Sequence, residues 1–260
     1  MDFELMDNTS YDGWKFFIAC GEGTIFPKNV IRDVCSNKIP KGSELYDVLY
    51  SYTSFSIMSV ERPAYRREDV FRLILPFLRA HGLSNTSLKQ YFKNNLNLTP
   101  GSRRTMRFAQ EISLPFVISS SYEHYVCEAC EALDLPMDNT YSMSLDLDYW
   151  DISRDEESTL KKLGDEIASM PIIQRPSDEH TMDDISETDK NTLLRLDEIF
   201  EDELVGLQSF RLLSASSPLG GEEKASSFLD IRRKTALDAD DVMVVCSTDS
   251  DSLIAHMVRE

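Results

Sequence analysis

The chain has 260 residues, 42% of them hydrophobic and 10% aromatic, which suits one α/β core with insertions or two small domains and excludes a disordered chain. Its formal net charge of −18, from 45 acidic and 27 basic residues, repels phosphate backbones and anionic lipid and so argues against nucleic acid or a membrane surface as partner. Residues 138–203 hold 20 Asp or Glu against 6 Lys or Arg, a pattern of solvated helix faces or of a docking surface for a basic protein partner.

The opening residues, MDFELMDNTS, carry neither the basic flank nor the apolar run of a secretory signal. The longest apolar runs are strand-sized, far short of a membrane span. Five cysteines, irregularly placed, read as reduced thiols in a cytoplasmic protein. The first element is a buried strand over residues 15–19, which stops at Gly21 and Gly23, where the backbone can turn sharply. Apolar residues three and four apart predict helices over 44–52 and 70–81, the second ending at Gly82. A second strand, 115–118, ends in Ser119, Ser120 and Ser121 and is followed by a helix over 124–133. From 137 to about 217 the chain is acidic and mostly helical, with helices near 156–169 and 192–207 and a polar loop over 174–188 between them. A short helix around 224–233 leads to a third strand, 242–245, and then to Ser247, Thr248, Asp249, Ser250 and Asp251. Strands alternating with helices predict a parallel sheet whose ligands sit at the carboxyl ends of the strands.

Each candidate constellation meets a simpler reading. The turn Cys20-Gly21-Glu22-Gly23-Thr24 lacks the Lys-Ser or Lys-Thr of a P-loop and the third glycine of a dinucleotide fingerprint. Cys20 has Phe26 where cysteine-dependent phosphatases place a phosphate-holding Arg, six positions on, and the other four cysteines have no Arg there either. His124, Cys127 and Cys130 fall three apart on one helix. A lone Cys-x-x-Cys supplies half of a structural zinc site, so thiols on a core-facing stripe are the better reading. Ser119 and His124 could join some Asp in a triad, but no Gly-x-Ser-x-Gly elbow is present.

Taken in order, the three strand ends resemble the motifs of the haloacid-dehalogenase-like (HAD) superfamily, and more closely a group of archaeal phosphohydrolases, some associated with energy-converting hydrogenase genes. Glu22-Gly23 fit the Glu-Gly of that group's first motif, which places Cys20 at the position of the nucleophilic Asp. Arg62-Pro63-Ala64-Tyr65 resembles its Arg-x-x-Tyr, and Leu73-Ile74-Leu75-Pro76-Phe77-Leu78 its Leu-x-x-Pro-Phe-Leu helix. Val117-Ile118-Ser119-Ser120-Ser121-Tyr122 is similar to Val-Ile-Ser-x-Ser-Tyr, and Glu223-Lys224-Ala225 to the stretch with the third-motif Lys. Residues 244–251 resemble Val-Val-Gly-Asp-Ser-x-x-Asp, with Cys246 and Ser247 where Gly and Asp are expected and Asp251 in register.

The resemblance implies a HAD-like Rossmannoid core formed by residues 11–30, 110–136 and 217–260, a first helical cap over 31–109 and an acidic helical cap over 137–216. Relatives continue with further strands after the fourth motif, so the sheet is expected to lack an edge or the chain to be truncated. The resemblance gives Glu22 the acid/base role, while Ser119, Ser120 and Lys224 would hold phosphate, and Ser247, Asp249 and Asp251 would form a degenerate metal site. Cys20 and Ser247 remove two carboxylates from that set. Mg²⁺ would therefore bind weakly, because a hard cation wants oxygen and a thiol replaces it poorly. The expected function is binding of phosphate or a small phosphate ester with weak or no hydrolysis. The alternatives are an Mg²⁺-dependent phosphomonoesterase using a displaced carboxylate, or a scaffold subunit of a larger complex.

Overall fold

The computed structural model describes residues 15–55, 65–149, 151–174, 181–236, 239–247 and 251–258. Phe16–Cys20 form β1, and all five residues are buried. Four helical segments follow: α1 (Val30–Lys38), α2 (Gly42–Phe55), α3 (Val70–Leu73) and α4 (Leu75–Ala80). After them come α5 (Asn85–Asn94), α6 (Ser102–Ile112), β2 (Leu114–Tyr122), α7 (Glu123–Ala132) and β3 (Thr140–Met143). The chain then runs through α8 (Arg154–Ala168), α9 (Glu187–Asp197), α10 (Phe210–Ala215), α11 (Gly221–Thr235), β4 (Val242–Val245) and α12 (Ser252–Met257).

The four strands make one parallel sheet in the order β3-β2-β1-β4, so the first strand in sequence is an inner one. Side chains alternate across its faces. Phe17 and Ala19 of β1 point into a large apolar cluster with Val34, Leu49, Leu88 and Val126 from the helices on that side. Phe16, Ile18 and Cys20 point the other way, onto Phe228 and Ile231 of α11 and Ile254 of α12. Apolar cover on both faces is what an all-parallel sheet requires, and the result is a Rossmann-like α/β fold.

Several elements differ from the sequence expectation, each for a physical reason. The helix over 70–81 is two short ones: Pro76 cannot donate an amide hydrogen bond, and α4 restarts with it in its first turn. The second strand does not stop at 118 but continues through Ser119–Ser121 to Tyr122, all buried. Serine disfavours a strand interior on propensity alone, but here tertiary partners take up the hydroxyls of Ser119 and Ser120. Thr140–Met143, inside the acidic segment read as helical, add β3 to the edge of the sheet, pairing Val117 with Thr140 and Ile118 with Tyr141. The helix over 192–207 begins earlier, at Glu187, and ends in a π-helical stretch, Glu198–Glu203. The two helical segments expected as separate insertions pack on each other, with α2 and α4 of the first against α8 of the second. Leu160, Leu163 and Ile167 supply the buried stripe of α8.

Candidate functional site

The turn after β1 is built by two close approaches. A Cβ on Gly21 would lie 2.2 Å from the Phe26 ring, and one on Gly23 would lie 2.2 Å from Ser247 Oγ. Gly23 also adopts φ +76, a left-handed conformation that costs a residue with a side chain. This fit lets the Ser247 hydroxyl donate to the Glu22 carbonyl at 2.5 Å, tying the end of β4 to the turn after β1. The Thr24 hydroxyl donates to the Cys20 carbonyl, closing the turn from its other side.

Glu22 is buried on this turn. Its Oε1 accepts from the Ser119 hydroxyl at 2.6 Å and from the Ser121 amide at 3.0 Å. Its Oε2 accepts no hydrogen bond and lies 3.7 Å from Lys224 Nζ. Lys224, in the first turn of α11 and 1% exposed, donates to Asp251 Oδ1 at 2.7 Å. Asp251 Oδ2 in turn accepts from the Ser247 amide at 3.2 Å. Burial opposes the charge on Lys224, but Glu22 and Asp251 outweigh it and leave the ammonium pushed up to about 12. Cys20, fully buried, has its Sγ 3.4 Å from Cys246 Sγ. That hydrogen bond and burial push the Cys20 thiol far above its usual range, while the same hydrogen bond lowers the Cys246 thiol against the opposing effect of its own partial burial.

Glu22, Ser119, Lys224, Ser247 and Asp251, scattered from one end of the chain to the other, thus form one hydrogen-bonded network at the carboxyl end of the sheet, with Cys20 beside Asp251. Their roles within it differ from the expected ones. The Ser119 hydroxyl is committed to Glu22, so it is no donor for a phosphoryl oxygen. Ser120 donates to the Leu219 carbonyl at 2.6 Å. Ser247 ties two turns together rather than facing a metal. Asp249 lies outside the described residues, as do Arg62, Pro63 and Ala64. Cys130 is buried in the large core cluster, where burial pushes its thiol up to about 12.

Above the network opens a cleft of about 410 Å³, lined by Glu22, Ser120, Lys224 and Ser247 on the sheet side. The other wall is the first helical segment: Lys28, Asn29 and Arg32 at the start of α1, Tyr46, Asp47 and Tyr50 of α2, then Arg67, Glu68 and Phe71. Lys28 donates to the Ser247 carbonyl at 2.9 Å, and Arg32 forms a two-point pair with Asp47 at 2.6 and 2.7 Å. Arg66, beside this wall, pairs with Glu223 of α11. Sequence reasoning missed Lys28, Arg32 and Arg67. They are scattered in sequence, and only folding brings them to one wall.

Among the described residues, those grouped here do not fit Mg²⁺. Two of the three grouped donors are sulfur, and a hard cation wants a shell of oxygen ligands.

Among the described residues, no helix is long and apolar enough to cross a membrane. No known family profile matches the chain, and no curated protein is similar to it. The fold is similar to that of gene product AF1437 from Archaeoglobus fulgidus, with a TM-score of 0.74 and 20% sequence identity, covering 95% of this chain and 71% of that one. At this identity the likeness is one of fold, a parallel α/β sheet flanked by helices.

Proposed function

We propose that this is a HAD-like protein that binds phosphate or a small phosphate ester in the cleft over the strand ends, with weak or no hydrolysis. The observation that carries this reading is the charge of the cleft. In a chain of net −18, the cleft is lined by Lys28, Arg32, Arg67 and Lys224 against Glu22, Asp47 and Glu68. With Asp251 paired to Lys224 the cleft is close to neutral, so it repels an anion far less than this strongly acidic chain as a whole does. Backbone amides at the start of α1, beside Asn29, add the partial positive charge of a helix N-terminus.

The same geometry argues against efficient turnover. Phosphoryl transfer in the resembling family begins with an aspartate, whereas the Cys20 thiol is fully buried, protonated and turned toward Cys246. Glu22 Oε2 remains the atom at which a proton can be held or moved, steadied by Ser119 and Ser121 on the other oxygen. An acid/base group and positive charge hold the ground state without supplying a nucleophile, and ground-state binding does not lower the barrier.

Calorimetric titration with inorganic phosphate is expected to give a Kd in the millimolar range, roughly −4 kcal/mol. The Lys28→Ala, Arg67→Ala double variant should bind more weakly. Turnover of a generic phosphate monoester, with or without Mg²⁺, should stay near background and rise in the Cys20→Asp, Ser247→Asp variant. Absence of phosphate binding overturns the proposal. Brisk wild-type hydrolysis that survives Cys20→Ala overturns the claim of inactivity.

A further inference from the structure

The two thiols beneath the cleft are unused by phosphate binding. Cys20 and Cys246 lie one position beyond the last β1–β4 pair, Ala19 opposite Val245, and both face the small apolar cluster under α11 and α12. Cys20 Sγ, Cys246 Sγ and a carboxylate oxygen of Asp251 all lie within 4.8 Å of one another. The end of β1, the residue after β4 and the residue before α12 therefore present two sulfurs and one oxygen to a single point. Asp251 is aimed by two donors, Lys224 Nζ and the Ser247 amide, which act as the supporting layer around a ligand. Lys224 and Ser247 also line the cleft, so the group lies one side chain beneath its floor.

We propose that Cys20, Cys246 and Asp251 form a binding site for a thiophilic divalent cation of the Zn²⁺ class, reached from the cleft. A tetrahedral Zn²⁺ with Zn–S bonds of about 2.3 Å spaces two sulfurs about 3.8 Å apart, close to the 3.4 Å found here. Three protein ligands of mixed sulfur and oxygen suit an ion of intermediate softness, and a fourth position is left for water or an anion. On binding, each thiol exchanges its S–H bond for an S–metal bond and both protons leave to solvent. Two positive charges enter as two protons depart, so the formal charge of the buried group does not change, and Lys224 can stay in place as the partner of Asp251. Cys35 and Cys130 sit in the separate large cluster and take no part.

The test uses the full chain, reduced and stripped of metal. Titration with Cd²⁺ should produce a sulfur-to-cadmium charge-transfer band that saturates at one ion per chain, with release of about two protons. Zn²⁺ should displace the Cd²⁺, and a large excess of Mg²⁺ should not. Cys246→Ser, at a half-buried position, should keep native circular dichroism, lose the band and weaken binding roughly 100-fold or more. Cys127→Ser should change neither. A wild-type titration with no charge-transfer band overturns the proposal, and so does a band that survives Cys246→Ser. Both readouts are independent of phosphate binding, so this inference and the preceding one can fail separately.

Discussion

Lys224 shows how one residue can organise a site. An ammonium 1% exposed is tolerable only because Asp251 and Glu22 stand beside it. Lys224→Met removes the positive charge and leaves Asp251 buried opposite an apolar chain, which should cost about 3–5 kcal/mol of stability in urea unfolding. Adding Asp251→Asn should recover part of that loss, and purely additive losses would argue against the coupling. The pH dependence has a definite sign. The folded value is about 12, raised from the ordinary 10.5, so this contribution is fully present below about pH 10.5 and is lost as pH climbs through 12. Gly23 makes a second residue-level point. Gly23→Ala meets both a left-handed φ of +76 and the Ser247 hydroxyl, so a loss of about 2–3 kcal/mol is expected. Ser247→Ala alongside it should relieve only the collision with the hydroxyl, leaving the flexible end of Lys28 at 2.5 Å and the left-handed φ, and complete recovery would show that the backbone carries no strain.

Helix starts depend on single side chains. Ser153 accepts from the Glu156 amide at 3.1 Å to cap α8, and Glu156 then accepts from the Ser209 amide at 2.6 Å. Ser153→Ala should therefore lower stability by about 1 kcal/mol by denaturant titration, and Glu156→Ala, which keeps the capped backbone amide, should lower it by about 1–3 kcal/mol because it strands the buried Ser209 amide. How much of this was legible follows element by element. Runs of apolar residues announced β1, β4 and the first half of β2, since strands buried on both faces need little else. Thr140–Met143 gave no comparable signal: it is four residues long, half-buried and set among acidic neighbours. Ser119–Ser121 read as a turn because the partners of Ser119 and Ser120 come from Glu22 and Leu219, about a hundred residues away in either direction. For the site, the sequence pointed to positions but not to hydrogen-bond directions. Which groups Ser119 and Ser247 serve is decided only by the packed backbone.

At the scale of the molecule, the charge of −18 should destabilise the folded chain through self-repulsion, which salt relieves. Raising sodium chloride from about 10 mM to about 150 mM should lift the thermal midpoint by about 2–4 °C. At equal ionic strength, phosphate should lift it further than chloride by mass action on the cleft, and equal midpoints would count against that site. The strand order has a consequence for how the chain is made. Cys20 and Cys246 are neighbours at the end of the β1–β4 pair yet 226 residues apart in sequence. On a ribosome adding about 5–20 residues per second, the edge of β1 that receives β4 waits roughly 10–45 s for its partner to emerge. During that interval a wholly apolar strand offers an open row of backbone donors and acceptors to any other nascent chain. Completion of the sheet, and with it the site, is therefore a late event in biosynthesis, and crowded translation is where this fold is most exposed to aggregation.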